Sequence, residues 1–337
     1  MNRIGKTETF DGISCTSITI TQDRTRVWCK GPDSAYNYAG SSWHQSKVDA
    51  YQIAEAGDGT LWAGTRQGLS RFDLEGQKWL PILNAPEIAS HFIFSSGPGI
   101  HLSFVAGDGA LWFYSFSEPY VGTTRWTGIS SETWQPAGKW TIVRPKLEAH
   151  DGTVWGIGDE SVIAQWDGQT WQVWQPFALK PTIGDLIEAH DGSIWAMALT
   201  DGIGRWDGQT WQIWSRDEAI LRSCPGLAEG KECVSSDLNA RYYTAAGLGK
   251  SNSSQARLSL TALLETQDGT IWVGTAQEGI SRWDGNTWRN YTMADGLSSE
   301  AITVLAESPD GKLWAVTWGG GVNYYDSNTD RWYSFPR

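Results

Sequence analysis

Asp191-Gly-Ser-Ile-Trp195, followed by Arg205-Trp-Asp-Gly-Gln-Thr-Trp211, is the clearest copy of a pattern that recurs seven times along the chain. Its first aromatic, just after an Asp-Gly-like turn, is Trp28, Trp62, Trp112, Trp155, Trp195, Trp272 and Trp314. The middle aromatic is Tyr38, Phe72, Trp126, Trp166, Trp206, Trp283 and Tyr325, and the last is Trp43, Trp79, Trp134, Trp171, Trp211, Trp288 and Trp332. Read this way, three aromatic slots absorb eighteen of the twenty-two tryptophans.

Each repeat breaks into four short segments suited to strands. In the last one these are Ala301-Ile-Thr-Val-Leu305, Leu313-Trp-Ala-Val316, Val322-Asn-Tyr-Tyr325 and Arg331-Trp-Tyr-Ser-Phe335. The Asp-Gly pairs between them fit tight turns, because glycine reaches positive φ without cost and the aspartate side chain accepts from its own turn. Alternation such as Ser17-Ile-Thr-Ile20 sends side chains to both faces of a sheet, as needed where sheets stack on both sides. The first-slot tryptophans are 34, 50, 43, 40, 77 and 42 residues apart, mostly the length of one four-stranded unit. Units of this kind close radially, with large aromatics filling the wedges between twisted sheets. The prediction is an all-β fold, a single seven-bladed β-propeller spanning residues 1–337. An open solenoid would carry polar caps at its ends. Instead Phe10-Asp-Gly-Ile-Ser14 repeats the pattern of Ala294-Asp-Gly-Leu-Ser298, so residues 1–10 read as the remnant of an outer strand.

Composition narrows the classes of partner. The chain has 337 residues and a formal charge of −12, with 26 Lys and Arg against 38 Asp and Glu and no basic cluster. Nucleic acid is a poor partner, because phosphate must be neutralised by cationic side chains. No apolar run approaches the ~20 residues of a spanning helix, so membrane insertion is not expected. The first residues lack the apolar core of a signal peptide. Of the four cysteines, Cys224 and Cys233 bracket a turn-rich segment short enough to be bridged, whereas Cys15 and Cys29 are not set opposite each other by the hairpin expected there.

The consensus of units four to seven, Trp-Asp-Gly-x-Thr-Trp, then Tyr-Thr-x-x-Asp-Gly-Leu, then Asp-Gly-x-Ile-Trp-Val-Gly-Thr, resembles the two-component regulator propeller repeat. Trp283–Thr292, Asp295-Gly-Leu-Ser298 and Asp268–Thr275 carry the likeness most strongly, and it extends over nearly the whole chain. Unit one departs at Asp23-Arg-Thr-Arg, and unit three carries an apparent insertion before Trp134. The resemblance implies an extracytoplasmic sensor-type propeller of bacterial signalling proteins, some of which recognise carbohydrate fragments. It supplies no functional residue, because every matching position belongs to the structural repeat.

Function is therefore sought where units deviate, since binding residues concentrate on loops held by a rigid frame. The largest deviation is the 215–257 insertion between blades five and six: 57 residues separate Trp211 from Asp268, against 20 between Trp171 and Asp191. Arg222, Arg241, Tyr242 and Tyr243 within it, Tyr120 in unit three, and Trp318 before Gly319-Gly-Gly321 mix charge with aromatic surface and are the candidate ligand-binding residues. Trp140, Trp174 and Trp214 also lie outside the slots and read as edge packing. Arginine precedes the middle aromatic at Arg71, Arg125, Arg205 and Arg282, which suggests a repeated hydrogen bond between blades.

Two functions compete at this point. One is a non-catalytic recognition module whose partner is a glycan or a protein. The other is a metal-dependent hydrolase or lyase, for which Glu148, Glu188, Glu265, His150 and His190 beside the Asp-Gly turns offer oxygen and imidazole ligands for Ca2+ or Mg2+. Identical positions in several blades fit repeat duplication better than a catalytic centre, which needs unlike residues converging from different blades. No cofactor and no catalytic residue is assigned. Oligomeric state stays open.

Overall fold

The computed structural model describes residues 8–10, 13–15, 17–20, 26–30, 34–39, 42–46, 48–84, 99–115, 122–134, 142–177, 181–215, 259–308 and 310–335. They form seven four-stranded antiparallel sheets, each with its strands in chain order. The chain divides into two compact units, Met1–Trp174 with the first four sheets and Gln175–Arg337 with the last three. Glu8–Phe10 pairs with Ile13–Cys15 in a two-stranded sheet, which replaces the outer-strand remnant expected for the chain start. Cys29 is fully buried and disulfide-bonded, with its partner sulfur outside the described side chains; Cys224 and Cys233, expected to be close enough to bridge, lie outside the described residues.

The fifth sheet shows how the repeat builds a blade. Its strands are Ile183–Glu188, Ile194–Ala198, Gly202–Trp206 and Trp211–Ser215. Trp195 sits opposite Arg205, and Trp206 opposite Trp211, so the first-slot indole lies on one face and the middle and last indoles on the other. Within each unit, neighbouring sheets then meet first-slot face against middle-and-last face. Between the fifth and sixth sheets, Trp195 meets Trp288 edge-on at 6.5 Å; between the sixth and seventh, Trp272 meets Tyr325 at 4.9 Å and Trp332 at 5.9 Å. The first unit repeats the scheme, with Trp28 on Phe72 and Trp79, Trp62 on Trp126, and Trp112 on Trp166 and Trp171.

The slot count needs one correction. Trp126 pairs with Ser131, the position that Trp171 holds opposite Trp166, so the last slot of the third sheet is a serine. The turn carries no insertion. Thr127 N–H donates to the Ser130 carbonyl just as Asp167 does to Thr170, and Gly128 and Gly168 take matching φ values of 89° and 98°. Trp134 instead matches Trp174, three residues further along the strand.

That position is a fourth aromatic slot. Trp134 stacks on Trp112, Trp174 on Trp155, Trp214 on Trp195 and Phe335 on Trp314, with interplanar angles of 15°, 20°, 5° and 19°; Tyr291 leans on Trp272 at 31°. Where a following sheet lies within the same unit, this ring also covers its middle aromatic, Trp134 on Trp166 at 4.3 Å and Trp214 on Trp283 at 4.9 Å. Trp174 and Trp214, expected to cover blade edges, instead stack on the sheet face as a regular part of the repeat, and Trp140 lies outside the described residues. Stacked and tilted pairs of this kind add to the burial of about 150–250 Å² per aromatic side chain.

The connection into the seventh sheet carries the Asp295-Gly-Leu-Ser298 motif. Thr292 and Asp295 cap a single 3-10 turn, Leu297 is buried between the sixth and seventh sheets, and Ser298 N–H donates to Asn323 Oδ1 at 2.9 Å. Gly296 has φ +104°, and a Cβ there would collide with the Trp332 carbonyl oxygen, so the motif glycine is a steric requirement.

Candidate functional site

The second to seventh sheets each have a turn end, with the turns between the first and second and the third and fourth strands, both Asp-Gly in the fourth to sixth sheets, and a connector end, with the turn between the second and third strands. At the turn end, Ser193 N–H donates to Asp191 Oδ1, Ser193 Oγ accepts from the Trp195 indole at 3.1 Å, and Arg205 pairs with Asp191 at 2.6 Å while lying 5.9 Å from the Trp195 ring centre. Partial burial pushes the Asp191 carboxyl up, but the Ser193 hydrogen bonds and Arg205 outweigh it and hold it below the usual carboxylate range. Arg125 and Asp108 pair in the same way. These arginines therefore act within their own sheets; the expected bond between sheets occurs at Arg282, whose Nη1 donates to Tyr325 Oη at 3.3 Å.

Two of the glutamates proposed as metal ligands, Glu148 and Glu265, have a mechanical role that Glu307 of the seventh sheet repeats. Glu148 accepts from Gly107 N–H at 2.6 Å, Glu265 from His190 N–H at 2.9 Å, and Glu307 from Gln267 N–H at 2.8 Å. Each ties the first strand of its sheet to the Asp-Gly turn of the sheet before. His190 Nδ1 lies 2.8 Å from Glu265 Oε2, with the imidazole two-thirds exposed. Glu188 and His150 occupy the matching places in the fifth and fourth sheets. Among the described residues, no three His, Cys, Asp or Glu side chains stand together as a metal-holding group.

The connector end of the first unit departs from the repeat. Seven residues before the Asp of the first Asp-Gly turn stand Tyr51, His101 and Arg144 in the second to fourth sheets, against Gly184, Thr261 and Thr303 in the fifth to seventh. His101, 8% exposed, stacks on Tyr51 at 4.4 Å and 10° and on Tyr114 at 4.9 Å and 11°. Burial, and then the charge of Asp49, push the Tyr51 phenol up. Arg144 pairs with Asp159 at 2.7 Å. The turn after Asp159 holds Glu160 and Ser161 at φ 53° and 65°, a left-handed conformation that non-glycine residues adopt at a cost. Between the first and second sheets, a groove of about 470 Å³ is lined by Ser34, Val48, Asp49, Thr65, Gln67, Ser70 and Trp79.

Of the candidate ligand-binding residues, Trp318 is described. It is 47% exposed, its N–H donates to the Ala301 carbonyl, and Gly319 turns the chain after it at φ +78°. Tyr120, Arg222, Arg241, Tyr242 and Tyr243 lie outside the described residues, as does nearly all of the 215–257 insertion. Sequence reading passed over Tyr51, His101 and Arg144. Aligning the units on the Asp-Gly turn exposes them, since the aromatic slots stay constant while this position changes character between units.

No family model matches the chain, and no curated protein matches it. Solved structures do. An extracellular domain assigned to a hybrid two component system of B. thetaiotaomicron matches 98% of this chain and 48% of its own length, at 18% identity and a TM-score of 0.45. The chain thus spans about half the length of that domain. The Dos1 propeller matches 93% of this chain and 77% of its own, at 13% identity and a TM-score of 0.57. YCF48, solved bound to D1 peptide, matches 94% and 95%, at 13% identity and a TM-score of 0.53. No helix among the described residues is long and apolar enough to cross a membrane. With seven four-stranded antiparallel sheets and propellers among its structural neighbours, the chain has the all-β fold of a seven-bladed β-propeller.

Proposed function

We propose that this propeller is a non-catalytic recognition module that takes a glycan fragment at the connector end of its first unit and works outside the cytoplasm. The observation that carries the reading is the groove of small-ligand size between the first and second sheets, whose Asp49 stands two residues before Tyr51, the first of three unlike residues, with His101 and Arg144, that replace a repeated position in successive sheets. Unlike residues gathered from different blades are what a site requires, whereas the tryptophan slots and turn carboxylates are repeated scaffold. The groove's hydroxyl, amide and carboxylate groups beside the half-buried Trp79 offer hydrogen bonds and an apolar wall to a polyol. The bridge at Cys29 favours an oxidising compartment.

A glycan-fragment panel screened by thermal shift tests this. The expected result is a stabilising hit that Gln67→Ala and Ser70→Ala weaken at least fivefold in affinity without changing the unliganded melting temperature. A hit untouched by both substitutions, or no hit, overturns the assignment. A protein partner is the second reading, supported by the exposed Trp318. Co-purification with Trp318→Ala as the control tests it, and recovery of the same partner by both forms rejects Trp318 as the contact. The hydrolase or lyase reading gains no support from Glu148, Glu265 and Glu307, whose carboxylates bond to neighbouring turns.

A further inference from the structure

The first-unit groove carries a charge as well as polar groups, and the charge selects among ligands. Asp49 is exposed, and it is the charged member of the described lining, whose other members are neutral. Among the described residues no lysine or arginine lines the groove; Arg66, whose charge reaches Tyr51, is absent from the lining. Two of the neutral members, Ser70 and Gln67, have oxygens to present. Thr65 Oγ1 donates to the Gly68 carbonyl and accepts from Gln67 N–H, so its proton faces inward and its turn is fixed. Ser34 Oγ already accepts from Gln45, which leaves the serine the hydroxyl proton to give and Ser70 and Gln67 the oxygens to offer. Trp79 forms an indole wall, held in place by Trp28 and Phe72 behind it. A carboxylate, amide and hydroxyl oxygens, and an indole in one groove fit a small organic cation, because an ammonium is attracted by the carboxylate, donates to the oxygens and packs on an aromatic surface. The overall charge of −12 acts in the same direction, drawing cations toward the surface.

We infer that the groove between the first and second sheets binds a ligand that bears an ammonium group, with Asp49 as its counter-ion and Trp79 as its apolar wall. The inference rests on the recognition reading above and narrows it from a polyol to a cationic one, an amino sugar or comparable amine. The counter-ion role is separable from folding, because Asp49 is exposed and lies outside every aromatic seam.

Titration calorimetry with matched probes tests it: glucosamine against glucose, with ethanolamine and tetramethylammonium as minimal cations. The expected result is glucosamine binding at least tenfold tighter than glucose, a loss of at least tenfold in Asp49→Asn, and weakening as salt is raised. Gln67→Ala should weaken both sugars equally while keeping their ratio. Equal binding of glucose and glucosamine, both indifferent to Asp49→Asn, overturns the ammonium inference and leaves the polyol reading standing. No millimolar binding by any of the three cations overturns it too. If the glycan panel is also silent, the recognition reading falls with it.

Discussion

Trp214→Ala removes the ring that closes the seam between the fifth and sixth sheets. Trp214 stacks on Trp195 at 5.4 Å, is tilted against Trp283 at 4.9 Å and meets Trp288 edge-on at 5.9 Å. A fully buried Trp→Ala change costs about 3–5 kcal/mol. Trp214 is half-buried, so its loss of area amounts to about half of that, to which three aromatic contacts add roughly 0.5 kcal/mol each even at the low end. The expected cost is about 3 kcal/mol, more than a hundredfold in the unfolding equilibrium. Urea unfolding followed by tryptophan fluorescence reads it, and the loss of exciton-coupled circular dichroism from the Trp195 pair gives an independent local signal. Trp214→Phe should recover more than half of the loss, since Phe335 fills the same slot over Trp314 in the seventh sheet. Trp318→Ala, at an exposed site, should change stability by no more than about 0.5 kcal/mol. If Trp214→Ala costs no more than Trp318→Ala, the fourth slot is not part of the scaffold and the seam account is wrong.

Gly296→Ala should destabilise by at least about 2 kcal/mol by thermal or urea unfolding, because φ +104° and the Trp332 carbonyl both exclude a Cβ. Ser131→Trp should gain roughly 0.5 kcal/mol by restoring the cross-strand partner that Trp126 lacks, measured in the same way. The Asp167, Asp207 and Asp284 carboxyls are held low, chiefly by backbone N–H groups of the residues three and two further on. Their folded values lie below the unfolded ones, so their contribution is present above about pH 4 and is lost as pH falls through the folded values. Asp207→Asn should therefore flatten the acid limb of a stability–pH profile, and an unchanged limb rejects the turn as a source of acid sensitivity. Mass measurement with and without reductant should show a bridge that includes Cys29; its absence would remove the support for an oxidising compartment.

The fold was legible because turn chemistry and aromatic spacing are local and repeat. Asp-Gly turns fix strand ends, and register then places Trp206 opposite Trp211 with no further information. The fourth slot was hidden by its variety, since Trp174, Tyr291 and Phe335 share a role but no letter, and by Trp134, which copies the identity of one slot while occupying another. Cross-sheet bonds such as Glu265 to His190 join residues 75 apart, so the sequence showed the glutamate series but not its partner. The stack of Tyr51, His101 and Tyr114 was illegible for the same reason, because stacking depends on how two sheets of different sequence meet.

The most direct test of the recognition account is a quantitative glycan-fragment binding profile of the wild-type chain beside Asp49→Ala/Gln67→Ala and Trp318→Ala, all shown to melt alike when unliganded. The account predicts that the groove variant loses the bound fragments while Trp318→Ala keeps them. Retention by the groove variant, with loss in Trp318→Ala, would contradict it and move recognition from the first unit to the second.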